Sequence, residues 1–121
     1  MAPVIKRKTV ITWQSPKRVQ LEFEHVAYAQ IAPNSDNIIV VVMDEKLYPD
    51  NAFIYSADGK ILYTAETTAD VLFYSGIEYS EENIYLYCEK QIKLPPGDFI
   101  ETTYVNIVDV KGKIINSFVL R

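Results

Sequence analysis

The chain has 121 residues, the length of one domain, and its 49% hydrophobic and 23% charged residues are ordinary globular values. One cysteine, Cys88, excludes an internal disulfide, and one histidine, His25, excludes a metal site with two or three histidines from one chain. The net charge is −4, but residues 1–21 carry five basic residues and no acid, whereas residues 22–121 carry seven basic and sixteen acidic ones, a balance of −9. An acidic body argues against nucleic acid as a ligand, because neutralising phosphate supplies most of that affinity.

Alternation of polar and apolar residues predicts an all-β chain of about nine antiparallel strands and little helix. The first strand covers residues 10–14. A longer strand, bent near His25, covers residues 18–31. The continuous apolar run over residues 38–43 predicts a strand that is covered on both faces.

Two glycine turns, at Gly59 and Gly112, each predict a tight hairpin with a positive φ at the glycine. The remaining predicted strands cover residues 52–57, 60–65, 71–75, 83–89, 102–110 and 113–120. The inward-facing positions of all the predicted strands predict a hydrophobic core. It consists of Val19, Leu21, Phe23, Ile39, Val41, Ile54, Ile61, Ile84, Leu86, Ile107, Ile114 and Phe118.

A weak internal repeat joins two stretches of the chain. Residues 36–40 (DNIIV) parallel residues 82–86 (ENIYL), and residues 58–62 (DGKIL) parallel residues 111–115 (KGKII). Each unit, approximately residues 26–66 and 71–120, holds about four strands, and in this it resembles a blade of a β-propeller. The resemblance implies one all-β domain over residues 1–121, half-propeller or sandwich-like, with two meanders packed face to face or joined in one long twisted sheet.

Signatures of catalysis and of cofactor binding are absent from the sequence. The four glycines are dispersed, so no phosphate-binding loop is predicted, and no G-x-S-x-G, H-E-x-x-H or C-x-x-C pattern occurs. We therefore expect no enzyme, no cofactor and no metal. Cys88 is in register with Ile84 and Leu86 and predicts an inert buried thiol. His25 continues an apolar face and predicts a core or rim histidine.

Tyrosines and carboxylates recur in two groups, which we interpret as partner-binding. The loop cluster consists of Asp44, Glu45, Tyr48 and Asp50. The strand cluster consists of Tyr79, Glu81, Glu82, Tyr85, Tyr87 and Glu89. Tyr85, Tyr87 and Glu89 share a strand face opposite the apolar positions. In the alternative interpretation, these tyrosines pack against a second sheet with their hydroxyls at its rim.

In overall character, the chain resembles the small immunity proteins that bacteria make against their own toxins, such as those of contact-dependent inhibition. The likeness lies in a short, acidic, single-domain chain rich in tyrosine and carboxylate. It implies a non-catalytic inhibitor, monomeric or weakly dimeric, that occludes the active site of a basic protein toxin such as a nuclease, without binding nucleic acid or membrane.

Residues 1–20 lack the apolar stretch of a signal peptide, so we expect a cytoplasmic location. Two other functions fit the sequence. One is a small β-barrel that carries an apolar ligand among its tyrosines. The other is an adaptor subunit that pairs through a strand edge. A deep interior pocket would favour the carrier, and sheets continuous across subunits would favour the adaptor.

Overall fold

The computed structural model describes residues 2–33, 35–80 and 82–120. In these residues eleven strands form three open antiparallel sheets of three, four and four strands, so the predicted all-β class is confirmed. Helical structure in the described residues consists of one 3-10 turn, Glu45–Leu47. None of it is long and apolar enough to cross a membrane.

Sheet A consists of β1 (Val4–Lys6), β2 (Val10–Ser15) and β3 (Lys17–Glu22). The turn between β1 and β2 places Arg7 and Lys8 at positive φ, 53° and 60°. Such backbone is uncommon outside glycine, asparagine and aspartate, which explains why the sequence gives no sign of this hairpin. Strand β1 was not among the predicted elements.

The predicted bent strand over residues 18–31 is wrong, because it is two strands in different sheets. It breaks at residues 23–25, after which β4 begins sheet B. Hydrogen bonds from the N–H of Phe23 to the Thr9 carbonyl (2.8 Å) and from the N–H of Val26 to the Lys8 carbonyl (2.6 Å) hold this crossover against sheet A. The side chain of His25 is exposed there, so its predicted place on the apolar face is also wrong.

Sheet B is a meander of β4 (Val26–Ile31), β5 (Ile38–Val42), β6 (Ala52–Tyr55) and β7 (Ile61–Thr64). Every residue of β5 is buried, which confirms that this strand is covered on both faces. Its even positions join sheet A in one apolar cluster, and its odd positions join the next sheet in another.

Sheet C is a second meander, of β8 (Val71–Ser80), β9 (Asn83–Leu94), β10 (Asp98–Val108) and β11 (Ile114–Val119). Strands β9 and β10 are longer than predicted and form one hairpin. The two predicted glycine turns are confirmed, with φ of 91° at Gly59 and 77° at Gly112.

The three sheets stack with sheet B in the middle. Ile54 of sheet B and Leu86 of sheet C share one buried cluster, whereas Trp13 of sheet A and Val40 of sheet B share the other. The first strand of each sheet contacts the first strand of the next, β1 with β4 and β4 with β8. The two meanders therefore pack face to face, and the alternative of one long twisted sheet is wrong.

Several predicted core positions lie elsewhere. Ile61 and Phe118 are 54% and 45% exposed, because they belong to the edge strands β7 and β11, and Ile107 is only half-buried. The prediction holds for Ile39, Val41, Ile54, Ile84 and Leu86, which are at most 1% exposed.

Candidate partner-binding surface

Strand β9 divides its side chains between two environments. Its even positions from Ile84 to Lys90 are buried against the middle of the stack, whereas Tyr85, Tyr87 and Glu89 are half-buried on the opposite face. This division confirms the alternation read from the sequence. We call the second side, which points away from sheet B, the outer C face.

Cross-strand register defines the outer C face, because residues directly opposite each other in a sheet share a face. Three rows run across it: Phe73, Glu89 and Thr103; Gly76, Tyr87, Val105 and Phe118; and Glu78, Tyr85, Ile107 and Asn116. Phe118 is 45% exposed at its edge. In the described residues this face has no covering sheet, and it combines aromatic, aliphatic and acidic side chains.

Gly76 brings two tyrosines together on this face. A Cβ placed on Gly76 would lie 3.0 Å from Cδ2 of Tyr87 and 3.8 Å from Cε2 of Tyr28. The missing side chain thus lets the Tyr87 ring lie across β8, while Tyr28 reaches the same point from β4. Tyr28 is 42% exposed and was not predicted as a site residue, although it is an outward position of an alternating strand.

The loop cluster reaches the outer C face through Phe73. The rings of Tyr48 and Phe73 are stacked, with centroids 4.7 Å apart and planes 15° from parallel. Phe73 is opposite Glu89 in the ladder between β8 and β9. The two groups of tyrosines and carboxylates therefore adjoin one another, and Phe73 is the residue between them that the sequence analysis missed.

Hydrogen bonds fix one carboxylate of the outer C face, that of Glu89. Both oxygens of Glu89 accept from the Thr103 hydroxyl, at 2.8 and 2.9 Å, and Ser75 Oγ lies 3.5 Å from one of them. A hydrogen bond to the Glu78 carboxylate is the main cause that raises the pKa of Tyr87. The Glu89 carboxylate is thus held in place before any partner arrives.

In the loop cluster, two of the three acids accept hydrogen bonds, one from within the loop and one from outside it. Asp44 accepts a hydrogen bond from the N–H of Lys46 at 3.0 Å and so caps the 3-10 turn. Asp50 accepts one from the Thr67 hydroxyl at 3.3 Å. Glu45 is exposed. Desolvation is the largest cause that raises the pKa of Tyr48.

Comparison with known proteins gives no relative from which to carry over a site. No protein-family model matches the chain, and no match was found among curated proteins or solved structures. The outer C face is therefore interpreted from its own residues.

One predicted site residue, Tyr79, does not belong to this face. Tyr79 is opposite Ile84 on the core side, and its buried hydroxyl has no hydrogen-bond partner among the described residues. Burial raises the pKa of this phenol well above its usual range. Glu81 lies outside the described residues, whereas Glu82 is exposed in the turn that precedes β9. Tyr79 is thus a core residue, and its predicted place in a surface cluster is wrong.

The surface of the described residues includes two depressions that are open to solvent. One, of about 220 Å³, lies on sheet A near Trp13 and Arg18. The other, of about 340 Å³, lies at the tip of the β9–β10 hairpin, against Pro95 and Pro96. No group of three or more His, Cys, Asp or Glu side chains within the described ranges could hold a metal ion.

Proposed function

We propose that the protein is a non-catalytic binding protein whose outer C face covers a cationic surface of a partner protein. The observation that carries this proposal is an uncovered sheet face on which Tyr85 and Tyr87 lie beside the carboxylates of Glu78 and Glu89, the second of which is held by the Thr103 hydroxyl. Tyrosine supplies rigid contact area at little entropic cost, and carboxylates pair with arginine and lysine.

From the resemblance to bacterial immunity proteins we infer that the partner is a basic protein toxin in the cytoplasm, with a nuclease as the leading example. Inhibition would be by occlusion, since the tyrosines cover the cationic site and the carboxylates form ion pairs at its rim. A chain with a net charge of −4 would also attract such a partner over a distance and speed their encounter.

The packing between the sheets favours a protein that binds a partner on its surface over one that carries a small ligand in its interior. Between sheets B and C the apolar side chains fill the space themselves, and Val41, Ile54 and Cys88 are at most 1% exposed. The Tyr74 ring also lies in this layer, fully buried. An apolar ligand would have to displace these side chains.

The test compares a charge reversal on the face with one away from it. Glu78→Lys should slow association with a basic toxin encoded beside the gene and make it less salt-dependent, because a steering charge is reversed. Tyr85→Ala should weaken binding about thirtyfold, as loss of a central aromatic does. Glu24→Lys, on the exposed crossover before β4, is the matched control and should bind and protect cells like the wild type.

Two outcomes would contradict the proposal. If Glu78→Lys and Tyr85→Ala bind such a toxin as tightly as Glu24→Lys does, the binding surface is wrong. If no basic protein binds and native mass spectrometry finds a small apolar molecule in the purified protein, the carrier alternative replaces it.

A further inference from the structure

The opposite end of the stack is a second uncovered sheet face. Sheet A contacts sheet B through Ile11 and Trp13, and its other side, which we call the outer A face, points away. Register places three rows there: Val4, Thr12 and Gln20; Lys6, Val10 and Glu22; and Gln14 with Arg18. Val4 is 53% exposed, and no described sheet covers this face.

The two end faces carry opposite charge. Residues 4–22, which form sheet A, hold five basic residues and one acid, and Lys6, Arg18 and Glu22 lie on the outer A face itself, which gives that face a balance of +1. Residues 71–119, which form sheet C, hold seven acids and four basic residues, and Glu78 and Glu89 lie on the outer C face. The charge asymmetry of the sequence therefore runs along the axis of the stack.

Sheet A covers a sheet face within one copy of the protein, because its inner side packs on sheet B. Each step of the stack, from A to B and from B to C, places an antiparallel sheet on its neighbour with the first strands in contact. A further sheet on the outer C face would repeat that step. The outer A face of a second copy supplies such a sheet, with Lys6 and Arg18 to meet the carboxylates and Val4 to meet apolar surface such as Phe118.

We propose that copies of this protein associate head to tail, with the outer A face of one on the outer C face of the next. This inference rests on the proposed function in one respect: both take the outer C face as a binding surface. Because the two docking faces differ, the contact is heterologous. Self-association then masks the face that binds the basic partner, and a partner of higher affinity displaces the second copy.

Sedimentation velocity of the full chain tests this directly. At 0.05 M salt, the mass should rise with concentration above the 13.9 kDa of one chain. At 0.5 M salt it should return towards that value, because the Debye length falls from about 14 to about 4 Å. A mass of one chain at every concentration and both salts would overturn the proposal.

Single-face variants separate a head-to-tail contact from a symmetric one. Arg18→Glu reverses a charge on the outer A face, and Glu78→Lys reverses one on the outer C face. Each should raise the dissociation constant of self-association about tenfold or more. Their equimolar mixture should associate again, since each supplies the intact face that the other lacks. Lys111→Glu, in the turn before β11, is the charge control and should associate like the wild type.

If Arg18→Glu alone still dimerises through the outer C face, the contact is symmetric and the proposal is wrong. Arg18→Glu also distinguishes this failure from failure of the proposed function, since it leaves the outer C face intact and should bind a basic toxin at least as well as the wild type. Toxin binding without self-association would overturn this inference alone. Self-association that Glu78→Lys abolishes, with no basic partner bound, would overturn the proposed function alone.

Discussion

The side chain of Asn51 pairs with the backbone of Tyr74 in both directions. Its Nδ2 donates to the Tyr74 carbonyl at 2.8 Å, and its Oδ1 accepts the Tyr74 N–H at 2.8 Å. The same Nδ2 donates to the Val42 carbonyl at 3.1 Å. Asn51 thus takes the place of a strand residue beside β8, an edge strand of sheet C, and ties it to sheet B.

Asn51→Ala should lower the free energy of unfolding by about 3 kcal/mol, because it leaves the N–H and carbonyl of Tyr74 without these partners at a buried site. Asn51 is 0% exposed, so water does not replace the amide in the folded state. Urea unfolding measures the change. Asn116→Ala, at an exposed position of β11, should alter stability by less than about 0.5 kcal/mol, and equal losses in both variants would contradict this role of Asn51.

Removing the hydroxyl from each of two buried tyrosines should change the stability of the protein in opposite directions. Tyr74 donates to the Glu66 carbonyl and accepts from Asn106 Nδ2 at 3.3 Å, whereas the Tyr79 hydroxyl has no hydrogen-bond partner among the described residues. Tyr74→Phe should therefore destabilise the protein by about 1–2 kcal/mol, and Tyr79→Phe should stabilise it by about 1 kcal/mol. Thermal and urea unfolding of the matched pair measure both signs, and a loss of stability in Tyr79→Phe would show that its hydroxyl is satisfied.

The parts of the fold that local pattern determines could be predicted from the sequence. The apolar run of β5 gave its burial on both faces, and the alternation in β9 gave its two faces. Gly59 and Gly112 marked their turns because few other residues adopt a positive φ. The partition of residues 18–31 between two sheets has no such signal, because Leu21, Phe23 and the residues of β4 continue one alternation across the break.

The site was harder to predict because its residues meet through long-range packing. The bulges in β8, between Val71 and Phe73 and between Tyr74 and Gly76, shift the alternation, so its faces could not be read from the period of two. The predicted strand ended at residue 75, whereas β8 continues to Ser80, so Tyr79 was grouped with the surface cluster instead of the core. The pairing of Asn51 with Tyr74 joins residues 23 apart in the chain, and no local motif marks it.

Gly112→Ala should destabilise the protein more than Gly97→Ala does. Both glycines have positive φ, 77° and 146°, but a Cβ on Gly112 would lie 3.0 Å from Cα of Ala65 and 3.3 Å from Cδ1 of Ile54, whereas a Cβ on Gly97 would have no atom within 4 Å. Backbone strain alone costs about 1–2 kcal/mol, so Gly97→Ala shows that cost without a clash. Urea unfolding should give a larger loss for Gly112→Ala, and equal losses would mean that the turn moves away from sheet B.

The stability of the protein should fall in alkaline solution, partly because of Cys88. Burial raises the pKa of this thiol from its ordinary value of 9.0 to about 11, so the folded protein keeps a proton that the unfolded chain loses. The thiol contributes fully below about pH 9, and the free energy of unfolding declines as pH rises to about 11. Burial also raises the pKa of Tyr74, to about 12, which extends the decline. Urea unfolding from pH 8 to 11 should show this slope.

Cys88→Ala separates the thiol from the other groups that titrate in this range. The variant should be less stable at pH 8, because a buried sulfur is removed, but its stability should fall less steeply between pH 9 and 11. In the wild type, native Cys88 should react with iodoacetamide at pH 8 only as fast as the sheets open, and urea should accelerate the reaction. Asn116→Cys in the Cys88→Ala background provides an exposed thiol that reacts at the rate of a free peptide. Equal slopes in wild type and Cys88→Ala, or labelling of wild-type Cys88 as fast as the exposed thiol, would contradict a protonated thiol held between sheets B and C.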